Sequence, residues 1–235
     1  MNTYEPKRLS RAVAAICPDI LARVAHPAPP MDERRLWWEL SSCILSSQVP
    51  YTLAVAATDA INAKCLLIDN HNDAESLASR IAEVLSKPLS VVGRLRSYRF
   101  PVARARHLAA THAAVIGEAR SLRELVERFS NVEEARTWFV TNAPGIGPKQ
   151  ASMFLRNAGL SYNLAILDRH VLNYMSAIGL YSGKKQSIAT LSQYQRHETT
   201  LRDHADDMNC PVGLLDWAIW IVMRVANRKM ETIAI

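Results

Sequence analysis

The sequence predicts an all-α fold, and three observations predict it. Apolar residues recur at helical spacing in five stretches. No stretch alternates apolar and polar residues long enough to mark a strand. Only 8 glycines and 11 prolines punctuate the 235 residues. Leu36, Leu40 and Ile44 form the first stripe, and Leu77, Ile81, Val84 and Leu85 the second. Leu122, Leu125, Val126 and Phe129 form the third, followed by Val171, Leu172, Met175 and Ile178. Leu214, Leu215, Ala218, Ile219 and Val222 close the series. Each stripe gives a helix one apolar face, which must be buried against another helix.

Turn residues mark the breaks between these helices. His26-Pro27-Ala28-Pro29-Pro30 cannot be helical and reads as a linker. Asp69 to Asp73 reads as a polar turn, Lys87-Pro88 ends a helix, and Tyr181 to Lys185 forms a Gly- and Lys-containing loop.

Composition narrows the classes of function. Lys and Arg number 28 against 22 Asp and Glu, for a net charge of +6 and a pI near 9.3. That balance permits attraction to a phosphate backbone without demanding it. Cys17, Cys43, Cys65 and Cys210 are too scattered for a metal knuckle or a CxxC pair and read as small buried hydrophobes in a reducing compartment. The opening MNTYEPKRLSR lacks an apolar core, and no apolar run reaches the ~18 residues that a membrane span needs. The expectation is a cytoplasmic protein without a membrane anchor.

The segment that carries chemistry is Asn142-Ala143-Pro144-Gly145-Ile146-Gly147-Pro148-Lys149-Gln150-Ala151-Ser152. Two glycines flank one apolar residue, and a helical pattern begins at Pro148, a residue suited to the first helical position. Gly145 and Gly147 let the backbone turn tightly and approach another surface. The free N–H groups at such a helix start make a seat for phosphate. Alone, this is also what a ligand-free helical corner looks like. Asp168 lies 19 residues beyond Lys149, where an apolar run ends and the stripe from Val171 begins. It therefore sits at a helix N-cap, a structural role open to it beside a catalytic one.

Pro-Gly-Ile-Gly-Pro-Lys followed at this distance by Leu-Asp-Arg-His-Val-Leu resembles the helix-hairpin-helix DNA glycosylase superfamily, most closely its archaeal-type 8-oxoguanine DNA glycosylase/AP lyases. Ile44-Leu45-Ser46-Ser47-Gln48, Tyr98-Arg99-Phe100 with Ala103-Arg104-Ala105, Phe154-Leu155-Arg156-Asn157-Ala158-Gly159 and Leu215-Asp216-Trp217-Ala218-Ile219-Trp220 resemble further segments of that family. The resemblance implies two helical lobes with a catalytic cleft between them. It places residues 31–160 in a helical barrel lobe that contains the helix-hairpin-helix (about 138–158), and residues 1–30 with 161–235 in the second lobe.

The same resemblance implies the site. Base removal passes through an oxocarbenium-like state that a carboxylate stabilises, and a neutral lysine amine can attack C1′ and form a Schiff base. Asp168 and Lys149 are the implied pair, although Lys149 taken alone also suits a phosphate contact. Gln48 matches the glutamine that fills the gap left by an extruded base, with a helix-end hydrogen bond as its plainer role. His170 matches a phosphate contact, or else caps its own helix. The backbone carbonyls of Thr141, Ala143 and Ile146 match a site for a monovalent cation (K or Na). Trp217 and Trp220 suit stacking on the base or, as is commoner for aromatic residues on an apolar helix, packing in the core. Arg94, Arg96, Arg99, Arg104 and Arg106, interleaved with Tyr98 and Phe100, suit either a DNA backbone or a solvated helix face. Cys210 is the sole cysteine near the C-terminus, so no iron–sulfur cluster is expected, and no cofactor is required.

The implied function is excision of a damaged or modified base from duplex DNA by base flipping, with 8-oxoguanine as the first expectation and a monomer as the acting form. The family's members end soon after the last helix on a lysine that helps hold the oxidised guanine. This chain instead continues through Arg224, Arg228 and Lys229 to Ile235. Two alternatives stay open: the same chemistry on another modified base, such as a bulky modified cytosine in phage DNA, or a DNA-binding hairpin without catalysis.

Overall fold

The structure is a computed structural model that describes residues 5–25, 31–69, 73–183, 188 and 190–233, with side chains through Ala226. The expected linker at 26–30, the centre of the Asp69–Asp73 turn and the loop residues after Gly183 lie outside the described residues. In chain order the elements are α1 (Pro6–Val24), α2 (Glu33–Leu45), α3 (Tyr51–Ala63), α4 (Ala74–Ser86), β1 (Leu89–Val91), β2 (Arg94–Arg96) and α5 (Pro101–Glu118). There follow α6 (Leu122–Glu127), α7 (Val132–Asn142), α8 (Pro148–Asn157), α9 (Arg169–Ala177), α10 (Leu191–Asp206) and α11 (Val212–Ile233). The fold is all-α, apart from one small antiparallel hairpin of β1 and β2.

The apolar stripes supply the buried faces, except that Phe129 and Ile178 lie past the ends of α6 and α9 and are half-buried. Leu36, Leu40 and Ile44 on α2, Leu77, Ile81, Val84 and Leu85 on α4, and Leu214, Leu215, Ala218 and Ile219 on α11 are all buried. Caps place the helix starts: Asp32, Asp73, Ser121, Asn131, Asp168 and Thr190 each accept backbone N–H groups of the helix that follows. Lys87, extended at ψ 145° before Pro88, stops α4 as expected.

The hairpin departs from the sequence reading. Its strands have three residues each, too short for an alternating pattern to register, and its turn, Val92-Gly93, lacks the Asn or Asp that signals such turns.

The chain divides into two compact units, one of residues 30–146 and one of residues 1–29 with 147–235. The division falls between Ile146 and Gly147, whereas the sequence reading set it after residue 160. α8 joins the later unit because Arg156 is bonded there: its Nη1 donates to Gly213 O at 3.2 Å and to Asp216 Oδ1 at 2.5 Å. In the earlier unit, Leu40 of α2, Ile61 of α3, Leu108 of α5 and Phe139 of α7 are buried. The other unit's core gathers Leu9, Val13 and Ile20 of α1, Val171 to Met175 of α9, Tyr194 and Leu201 of α10, and the inner face of α11.

Candidate active site

The hairpin loop is built residue by residue. α7 ends at Asn142 and the chain turns extended at Ala143 (φ −105°, ψ 99°). Ile146 N–H then donates back to Ala143 O at 3.1 Å, closing a four-residue turn. Gly145, third in that turn, has φ 84°, and a Cβ there would stand 2.5 Å from His107 Nδ1. Both conformation and space exclude a side chain. Gly147 is different: at φ −98° and ψ 177° it is ordinary extended backbone and forms the N-cap of α8. With no side chain to cap them, the first N–H groups of α8 stay open to a ligand, Pro148 occupying the position that has none.

Lys149 is the second residue of α8 and half-buried. Its amine forms no hydrogen bond or ion pair among the described residues. It lies seven residues before Arg156, hence on the same face two turns away.

Asp168 caps α9. Its Oδ1 accepts from His170 N–H at 2.8 Å and from Val171 N–H at 2.9 Å, and the side chain is half-buried. Oδ2 takes no hydrogen bond among the described residues. One oxygen thus orients the group.

The stretch that leads into Asp168 is held by three buried side chains that sequence reading did not single out. Ala165 N–H donates to Glu198 Oε1 at 2.8 Å, Ile166 N–H to Asp216 Oδ2 at 2.5 Å, and Leu167 N–H to the Tyr194 hydroxyl at 2.9 Å. Tyr194 in turn donates to Ala165 O at 2.7 Å, and burial holds its phenol protonated. Extended backbone without a sheet partner leaves its N–H groups orphaned, and these side chains replace the missing strand. Asp216 is bonded to both α8 and this stretch. Burial pushes its carboxyl up to about 7, against the Arg156 guanidinium and the Ile166 N–H, which favour the charged form. The sequence signal for it is an acid inside the apolar run from Val212 to Met223.

In the other unit, Gln48 is exposed at φ 61° in the turn after α2. That turn is braced from α5: Arg104 Nη2 donates to Ser47 O at 3.1 Å, and Arg104 Nη1 lies 3.3 Å from His107 Nδ1, the ring against Gly145. Tyr98, its phenol pushed by burial to about 12, donates to Leu45 O at 2.7 Å. Gln48 and Gly145 thus rest on one framework. Arg99 is exposed and sits over the Phe100 ring at 4.8 Å.

His170 is half-buried, and burial, the largest influence, lowers its pKa, Arg169 and Arg224 adding to this and Asp168 opposing it. Trp217 packs against the core, whereas Trp220 is 36 % exposed with the Arg224 guanidinium 4.5 Å from its ring. Of the two, Trp220 presents the more accessible face. Thr141, Ala143 and Ile146 lie along the loop, and the Ala143 carbonyl is already an acceptor for Ile146, with a second lone pair remaining.

The family described as 8-oxoguanine DNA glycosylase matches residues 26–210, well over half of the chain. The chain belongs to this family. A relative in Sulfurisphaera tokodaii, named 8-oxoguanine DNA glycosylase/AP lyase, is 31 % identical over 80 % of this chain and 82 % of its own length. The 8-oxoguanine DNA glycosylase of Thermotoga maritima is similar in structure, with TM-score 0.64 and 28 % identity over 92 % of this chain and 93 % of its own. The Methanocaldococcus jannaschii 8-oxoguanine glycosylase/lyase, in complex with a 15mer DNA containing 8-oxoguanine, shares the fold at TM-score 0.69 and 23 % identity, over 91 % of this chain and 95 % of its own. The family match includes Gln48, the hairpin, Lys149 and Asp168, and it ends before α11, which carries Asp216, Trp217 and Trp220.

Proposed function

We propose that this protein excises 8-oxoguanine from duplex DNA and then cleaves the strand at the resulting site. The observation that carries this is the presence, within one unit of a family member, of a Lys149 amine with no hydrogen bond or ion pair among the described residues and an Asp168 carboxylate oriented through one oxygen only. Arg156, on the helix of Lys149, and the Ile166 N–H, in the stretch leading to Asp168, both donate to Asp216.

In the proposed reaction the target nucleotide is flipped from the stack and Gln48 fills the gap it leaves. The neutral Lys149 amine attacks C1′, the bond to the base breaks, and the base leaves with that electron pair and takes up a proton. Asp168 Oδ2 stabilises the positive charge that develops on the sugar, an effect strengthened in a water-poor site. Loss of a proton and opening of the sugar ring give a Schiff base to Lys149, from which β-elimination breaks the strand. His170, Arg99 and the open N–H groups of α8 hold phosphates, and Trp220 stacks on the base. The carbonyls of Thr141, Ala143 and Ile146 would hold a monovalent cation, which supplies positive charge beside a phosphate. We propose a monomer as the acting form. No described helix is long and apolar enough to cross a membrane.

A second reading keeps this chemistry and changes the base, because the family match stops before the aromatic residues of α11. One experiment tests both. Borohydride trapping is run on duplexes bearing 8-oxoguanine, uracil, an abasic site or a glucosylated hydroxymethylcytosine. The expected result is a covalent complex on the 8-oxoguanine duplex that Lys149→Gln abolishes. Trapping on the modified cytosine alone would shift the substrate, and binding of every duplex with trapping on none would leave a DNA-binding module.

A further inference from the structure

The β1–β2 hairpin has no part in the reaction described above, yet its composition is unusual. The two central residues of its turn, Val92 and Gly93, have φ of 49° and 73°. Positive φ at both positions is what a mirror-image two-residue turn requires, and Asn, Asp or Gly adopt it at least cost. A β-branched valine in that conformation is strained. Val92 is also 92 % exposed, and Leu95 on β2 is 73 % exposed. Conformation and solvation thus both favour a polar residue at the tip, and an apolar one stands there making almost no contact with its own protein.

The charge around it is equally one-sided. Between Glu83 and Glu118 the chain has Lys87, Arg94, Arg96, Arg99, Arg104 and Arg106 and no acid. These six charges equal the net +6 of the whole chain, and the remaining residues hold 22 of each sign. Lys87 pairs with Glu83 at 2.7 Å, so the positive charge of this stretch is carried by Arg94, Arg96, Arg99, Arg104 and Arg106, on the hairpin and the chain that follows it. Pairing of Val91 with Arg94 and of Leu89 with Arg96 puts both arginines on one face of the hairpin and Leu95, opposite Ser90, on the other. The hairpin is also well placed. β1 packs beside α3, and the chain leaving β2 passes through Tyr98 and Arg104, which brace the turn that presents Gln48.

We propose that the β1–β2 hairpin is a wedge for duplex DNA: Arg94 and Arg96 seat on phosphates while Val92, backed by Leu95, presses against a base step and unstacks it. Arginines combined with an apolar wedge are how proteins that kink DNA offset the cost of unstacking. The inference rests on the reading that the ligand is DNA. It adds a second element to Gln48, one that opens the stack where Gln48 occupies the gap.

The test uses the full chain, a duplex with 2-aminopurine beside 8-oxoguanine, and the same strand in an unpaired bubble. Val92→Asn installs a residue that the turn favours, so the hairpin still folds and any loss reports the missing wedge. Wild-type binding should raise 2-aminopurine fluorescence, and Val92→Asn and Leu95→Ser should each suppress that rise. Single-turnover excision by Val92→Asn should fall roughly ten-fold or more on the paired duplex and recover in the bubble, where the stack is already open. Arg94→Gln with Arg96→Gln should flatten the dependence of log K on log salt by about two. An undiminished fluorescence rise in Val92→Asn, or a salt dependence unmoved by the arginine pair, overturns the wedge and leaves the hairpin as a surface for another protein. If the wild type excises nothing while Val92→Asn still abolishes the fluorescence rise, the substrate assignment fails and the wedge stands.

Discussion

Buried Asp216 and half-buried Arg156 form an ion pair, Oδ1 to Nη1 at 2.5 Å, that joins the helix of Lys149 to the stretch leading into Asp168. Removing Asp216 leaves the partly exposed Arg156 guanidinium and the buried Ile166 N–H without this acceptor, which typically costs about 1–3 kcal/mol. Asp216→Leu should therefore lower the unfolding free energy by about that much. Combined with Arg156→Met the loss should be smaller than for Asp216→Leu alone, as denaturant titration of the four proteins would show. Additive losses would mean the two residues act independently.

The same carboxyl sets a pH signature. Burial raises Asp216 from 3.8 to about 7, so between those values the folded state holds a proton that the unfolded chain has lost. Its contribution to stability is full below about pH 4 and is lost as pH rises through about 7. Unfolding free energies measured from pH 4 to 8 should show a fall that is absent in Asp216→Asn. Parallel curves for the two proteins would remove Asp216 as the source.

At Asp168 the cap and the chemistry can be separated, because asparagine caps as well as aspartate does. Asp168→Asn should change stability by less than about 1 kcal/mol yet slow excision roughly 10²-fold. Asp168→Ala should also lose about 1 kcal/mol of stability with the cap. Full excision activity in Asp168→Asn would refute its assignment.

Gly145→Ala meets two obstacles, a left-handed backbone and a His107 ring 2.5 Å from the new methyl group. It should destabilise by about 1–3 kcal/mol. His107→Ala in the same chain should relieve the clash and leave only the backbone part. Thermal midpoints that show no such rescue would locate the crowding elsewhere.

His170 and Arg99 are both assigned to phosphate, but they differ in charge. Burial depresses the His170 pKa, so it meets DNA as a neutral hydrogen-bond donor near pH 7.5 and displaces no counterion. Arg99→Gln should reduce the slope of log K against log salt by about one, while His170→Gln should leave it unchanged. Equal effects of the two variants at pH 7.5 would contradict this assignment.

Much of the protein was legible in its order of residues, because the features involved are local. The stripe from Leu77 to Leu85 had to be a helix face, since burial at that spacing serves no other regular structure. Pro148 and Asp168 mark helix starts through their own chemistry, and Lys149 and Asp168 could be paired because family resemblance supplied their separation. The hairpin at 89–96 escaped notice because strands of three residues carry no period. What only the tertiary structure decided depends on residues distant in sequence. Glu198, Tyr194 and Asp216 reach the N–H groups of Ala165 to Leu167 from helices 27 to 50 residues away. His107 meets Gly145, and Arg104 meets Ser47, across similar intervals. Sequence periodicity names the face of a helix to be buried. It leaves open which orphaned N–H group a buried carboxylate or hydroxyl will find, because the packing that carries it there decides that.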